Sequence, residues 1–220
     1  MTQSTPSTPL PFRSLASGHR TMLLAHRAMV RDLDRVARTA EGLVTAPDAE
    51  RAATLRAYVE KLSLIIEHHH EGEDEFLWPS LRRLGADEAA LTLMTREHDE
   101  LAKNLHRWHD TARGLGTDPA AAAELARLTH PLRDELARHA ADEERELSGR
   151  LAPALNEKVW KGFATHMRKT APSWTLKFMP AWLASVAGPD ERSGVPAPPV
   201  AALFRGWLEK RQRSAFGDCY

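Results

Sequence analysis

Two short segments of the chain carry a histidine followed four residues later by a glutamate: His69 with Glu73, and His139 with Glu143. A second acid follows each glutamate directly, Asp74 in one case and Glu144 in the other. On a helix an i, i+4 spacing puts both side chains on one face, close enough to coordinate one ion or two adjacent ions. The first pair lies in HHHEGEDEFLWP, residues 68–79, where three histidines and four acids run straight into residues typical of a core. Imidazole plus carboxylate without thiolate is the donor set of a non-haem iron site, with manganese or zinc as alternatives. Inward carboxylates suit a hard cation rather than haem.

Such pairs need helices to hold them, and helical periodicity runs through most of the chain. The first stripe is Leu15, His19, Met22, His26, Met29, Leu33, Val36 and Ala40, predicting a helix to about Glu41 that Gly42 ends. A second helix starts at Asp48 with the stripe Leu55, Tyr58, Leu62, Ile65, His69, Glu73, Phe76, and Pro79 and Gly85 mark its last turns. A third follows Asp87 through Leu91, Met94, His98, Leu101, Leu105, Trp108 and Ala112. The fourth opens at Asp118-Pro119 and carries Leu125, Leu128, Leu132, Leu136, His139, Glu143 and Leu147 to about Leu151, with Pro131 expected to bend or interrupt it. The expected fold is all-α: an antiparallel up-down four-helix bundle over residues 14–151 with a shorter helical C-terminal extension over 152–220. Residues 1–13, rich in Ser, Thr and Pro, are expected to be disordered.

Each bundle helix aims at least one histidine inward. Four inward histidines and two glutamates left unpaired in an apolar interior would cost several kcal/mol each or give up their charge. A bound cation resolves that conflict; the competing reading is a buried salt-bridge network. His19 competes with His26, because the two share a face seven residues apart, about 10 Å in height, and only one can be level with the pairs. His70 is likewise an alternative to His69. His106, His130 and His166 are expected in solvent, His68, Glu71 and Asp74 on the wet side of the second helix, and His109 has no assigned role.

The chain of 220 residues, 42% hydrophobic, allows one principal domain with extensions, and a net charge of zero argues against a nucleic-acid partner. A single cysteine, Cys219, excludes an internal disulfide framework and fits a reducing cytoplasm. With no apolar run of about 18 residues, stable membrane insertion is not expected. The extension is basic and aromatic, with Trp160, Phe163, Trp174, Phe178, Trp182, Phe204 and Trp207. Its expected use is as a lid or a homodimer surface, with a weak membrane-surface contact as the remaining alternative. Pro172 and Pro180 are expected to prevent one long interfacial helix.

Residues 14–151 resemble the hemerythrin-like (HHE cation-binding) family, carried by AHRAMVRDL, HHHEGEDEFLWP, EHDEL and HAADEERELSGRL. The resemblance implies a non-haem di-iron centre, two irons per chain, with His26, His69, His98 and His139 as nitrogen ligands and Glu73 and Glu143 as bridges. Oxygen-carrying relatives have a second histidine one turn after the third-helix ligand, where this chain has Ala102. One imidazole fewer implies an open iron position for oxygen, nitric oxide or peroxide; a metal-dependent iron or redox-sensing interaction module is the alternative. The ferritin-like arrangement, Glu-x-x-His on two helices, is matched only once, at Glu67 and His70.

Overall fold

The computed structural model describes residues 11–220, and the described residues contain eight α-helices and no strand. They are α1 (Ser17–Thr45), α2 (Ala49–Gly72), α3 (Trp78–Arg83), α4 (Glu88–Arg113), α5 (Pro119–Ser148), α6 (Glu157–Thr170), α7 (Thr175–Ala184) and α8 (Pro198–Phe216). The chain is all-α, as its periodicity predicts. Of the residues expected to be disordered, 1–10 lie outside those described, while Phe12–Ser14 forms a 3-10 turn.

Side-chain caps start the long helices where the acids and prolines indicate. Asp48 accepts from the Arg51 N–H, Asp87 from the Ala90 N–H, and Asp118 from the Ala120 N–H with Pro119 in the first turn. Two expectations about punctuation fail. Gly42 does not end α1, because buried Leu43 extends the inward face and one exposed glycine costs only about 1 kcal/mol. Pro131 does not interrupt α5, because it faces solvent, where the carbonyl it leaves unpaired is hydrated. Pro180 likewise lies inside α7, while Pro172 does separate α6 from α7.

The second predicted helix is not uniform. Between α2 and α3, Glu73–Leu77 forms a π-helical turn in which the Trp78 N–H donates to the Glu73 carbonyl five residues back. Pro79 follows at once, and a widened turn eases the clash its ring would make with the preceding turn. Gly85, at φ 77°, then ends α3 in the left-handed conformation.

α1, α2, α4 and α5 pack in a ring, α1 on α5, α5 on α4, α4 on α2 and α2 on α1. Their interior is two apolar clusters rather than one. The larger holds Met29, Leu33, Ile65, Ile66, Leu101 and Leu136, and the smaller Met22, Leu77, Leu91, Met94 and Leu147. Along the inward stripes, α1 meets the smaller cluster first, α2 the larger, α4 the smaller and α5 the larger. On each of these stripes the inward histidine falls between residues of one cluster and the residues that lead to the other.

The C-terminal helices complete both clusters. Phe178, Trp182, Leu208 and Phe216 of α7 and α8 join the larger, and Trp160 and Phe163 of α6 the smaller. Buried Asp32 of α1 anchors the first group: its Oδ2 accepts from Tyr58 Oη at 2.5 Å and Trp182 Nε1 at 2.6 Å, and its Oδ1 from Arg31 Nε at 2.8 Å. α6 seats on glycines instead. A methyl group at Gly18 would come within 2.6 Å of the Trp160 ring, one at Gly72 would collide with Met167, and Gly162 admits Phe76 in the same way.

Candidate metal centre

Between the two apolar clusters lies a belt of buried titratable groups. His26 of α1, His69 and His70 of α2, Glu73 of the π-helical turn, His98 of α4, and His139 and Glu143 of α5 are all less than a tenth exposed. They form two overlapping groups. One donor atom from each of His26, His69, Glu73 and Glu143 lies within 4.8 Å of the others, and the same holds for His70, Glu73, His98 and His139. Glu73 belongs to both, as a carboxylate shared between two ions would.

All six residues singled out from the sequence therefore meet in one place. His26 rather than His19 reaches it: His26 Nε2 is 2.9 Å from His69 Nε2 and 3.0 Å from a Glu143 oxygen. His19, seven residues earlier, stacks on Trp160 at 5.7 Å between ring centroids. His70 does not replace His69 but joins it, with its ring 4.7 Å from that of His98 and 5.1 Å from that of His139. With Ala102 offering no imidazole from α4, the fifth ring of the belt is His70 of α2. A second inward stripe, Val59, Ile66 and His70, was readable beside the first, because α2 buries both Ile65 and Ile66.

Two carboxylates behind the belt hold its rings. Glu97, buried beside His98, accepts from His139 Nδ1 at 2.9 Å. Asp74, expected on the wet side of its helix and part exposed, lies 2.9 Å from His98 Nδ1. The π-helical turn accounts for this, since Glu73 and Asp74 share it and both reach α4. His68 also departs from the wet face, meeting Thr170 of α6 at 2.8 Å. The remaining histidines pair outside the belt, His106 with Asp110, His109 with Glu60, His130 with Glu41 and His166 with Glu75.

The tautomers make the belt unsatisfied by itself. With its Nδ1 proton on Glu97, neutral His139 presents a lone pair at Nε2, and His98 Nε2 faces it at 3.2 Å. If neutral His98 carries its proton at Nε2, its Nδ1 lone pair faces the Asp74 carboxylate; if at Nδ1, two Nε2 lone pairs oppose. Positive charge placed there removes the conflict. Glu73 and Glu143 are fully buried and find no partner beyond imidazoles, His69 Nε2 at 3.1 Å and His98 Nε2 at 3.4 Å for Glu73 and His26 Nε2 at 3.0 Å for Glu143, while His70 Nε2 is buried without any partner. Buried acceptors converging in this number fit a metal ion.

Protonation follows the same geometry. Burial, then the neighbouring imidazoles, pushes His69 and His70 well below the usual histidine range, leaving neutral rings able to coordinate. Burial would lower His26 too, but the Glu143 and Glu144 carboxylates together outweigh it and raise His26 to about 9. Burial opposes ionisation of Glu143, yet His26, with His139 and His69, outweighs it and holds Glu143 at about 2. Glu73 is raised well above the carboxylate range by burial, then by Glu143 and Asp74. The metal-free belt is thus held together by protons where cations would bind.

The hemerythrin HHE cation binding domain matches residues 17–151, from α1 through α5. No curated protein and no solved structure gives a significant match. The match takes in every residue of the belt and covers well over half of the sequence. By that match the chain belongs to the hemerythrin HHE cation-binding family.

Proposed function

We propose that this chain is a non-haem di-iron protein that binds or reacts with oxygen, nitric oxide or peroxide, its site set across an antiparallel up-down four-helix bundle. The observation that carries the reading is the face-to-face approach of His98 and His139 Nε2 atoms, with Nδ1 of the second fixed by Glu97. His26, His69 and Glu143 would hold one iron and His70, His98 and His139 the other, with Glu73 in reach of both. Manganese or zinc is the alternative occupant of the same imidazole and carboxylate donors. A bound iron pair supplies redox change and coordination positions for a small oxidant. Each group offers four protein donors, fewer than an octahedral iron takes.

The chain's own residues do the rest. Asp74 and Glu97 orient rings; the two apolar clusters exclude water from either side. Elemental analysis of protein purified without a metal-affinity tag, with an optical spectrum of the same sample, tests the reading. About two irons per chain with near-ultraviolet charge-transfer bands and no haem band is the expected result. No metal, and no uptake of ferrous iron under anaerobic conditions, overturns it.

A second reading has its own observation. Met167 and Phe163 of α6 close over Gly72, the residue before Glu73, so occupancy of the centre has a direct mechanical neighbour in the extension. In this reading the chain is an iron- or redox-sensing module, and α6 reports occupancy to a partner. Limited proteolysis separates the two: metal-dependent protection of residues 157–170 favours the sensor, and equal cleavage with and without metal removes it.

A further inference from the structure

Among the described residues, Leu203 at 74% and Leu176 at 64% are the most exposed large apolar side chains, and both stand on the α7–α8 pair. Next to them in the chain stand Lys177 and Phe204, one of three cation–ring pairs on these helices and the adjoining part of α2. Lys61 of α2 lies over Trp174 at 5.2 Å, Lys177 of α7 over Phe204 of α8 at 5.9 Å, and Arg211 over Trp207 at 4.5 Å. Phe204 and Trp207 touch edge to face, and Leu64, also exposed, is one turn from Lys61. From Pro153 to the C-terminus the chain has ten lysines and arginines against five acids, although the whole sequence is neutral.

We propose that this face docks on an anionic lipid surface, with Leu176 and Leu203 entering the headgroup–acyl boundary and the cations of these pairs meeting lipid phosphates. Protruding leucines beside interfacial tryptophans and basic side chains are what a peripheral contact requires, and neither signal alone anchors a protein. No helix among the described residues is long and apolar enough to cross a membrane, so the contact lies on the surface. A second copy of the chain is the weaker occupant. A two-fold contact through this face would bring the same cations against each other. Single-stranded nucleic acid needs ring faces on which bases can stack, and here those rings are half buried and already covered by cations.

Co-sedimentation of the full chain with phosphatidylglycerol-containing vesicles, against vesicles of phosphatidylcholine alone, tests this. Binding is expected to the anionic vesicles only and to fall with added salt. It is expected to drop about tenfold or more in Lys177→Glu with Arg211→Glu, and in Leu176→Ser with Leu203→Ser. These side chains are exposed, so the variants retain the helical circular dichroism of the parent. Failure to pellet, or equal binding to both vesicle types, overturns the proposal. So does binding of a single-stranded oligonucleotide in place of vesicles, or a dimer that the leucine variants abolish.

Discussion

Glu97 accepts the Nδ1 proton of His139 at 2.9 Å across the α4–α5 interface, and so decides which nitrogen of His139 faces the belt. Glu97 touches none of the proposed ions in this arrangement; it acts through the ring it orients. Removing such a partner costs about 10- to 100-fold in metal affinity elsewhere. Glu97→Ala is therefore expected to lower iron retention by about that factor in a chelator competition, with Glu97→Gln losing less. Unchanged retention in both variants would show that His139 is oriented by packing alone.

Glu73 belongs to both donor groups, whereas Glu143 and His70 belong to one each. Glu73→Ala is expected to lower the content of both irons, and Glu143→Ala or His70→Ala chiefly that of one. His106→Ala, on an exposed ring paired with Asp110, is expected to keep the parent content. Elemental analysis of the four variants checks the assignment, and equal loss in all of them would sink it.

Iron uptake should release protons. In the metal-free chain His26 is raised to about 9, so at pH 7 it carries a proton that an ion must displace, and Glu73 holds its proton to higher pH than an ordinary carboxyl. Apparent affinity is accordingly expected to rise with pH up to about 9. Titration of ferrous iron into weakly buffered, anaerobic protein, read by a pH electrode, measures the release directly.

Stability of the metal-free chain should show the opposite limits. Glu143, lowered to about 2, contributes stability that is present above its ordinary value and lost as pH falls through about 2. His26, raised to about 9, contributes stability present below its ordinary 6.5 and lost as pH rises through about 9. The pair therefore contributes fully between their two ordinary values. Urea midpoints across pH, compared with His26→Ala, check the window.

Asp32 ties the extension to the bundle through Tyr58 and Trp182, and Gln212 donates to Tyr58 Oη at 3.0 Å. Asp32→Ala leaves buried donors without an acceptor and is expected to cost about 3 kcal/mol or more. Iron content should change little, because the damage lies in the larger cluster. A denaturation midpoint together with metal analysis separates the two effects.

Much of the belt was legible because its residues fall on stripes whose other members are apolar. His26, His69, His98 and His139 each take the place of a leucine in a three-and-four pattern, and the caps at Asp48, Asp87 and Asp118 set the helices around them. His70 was harder to read. Adjacent residues on a helix are about 100° apart, and one stripe per helix describes a surface helix rather than one buried on two sides. Asp74 was hidden by the π-helical turn, which depends on Pro79 and on packing against α6. Glu97 was missed because it faces α5 instead of the stripe of its own helix. How the extension docks rests on Asp32, one acid in a run of arginines, and no periodicity marks an acid as buried.

The glycine seats of α6 put part of the extension directly against the helices that carry the belt. Gly18 and Gly72 let Trp160, Phe163 and Met167 lie down on α1 and α2, and Gly72 immediately precedes Glu73. A side chain added at Gly72 would press on Met167, some ninety residues further along the chain, and on the turn that carries the shared carboxylate. One missing methyl group is thus where bundle and extension come to terms.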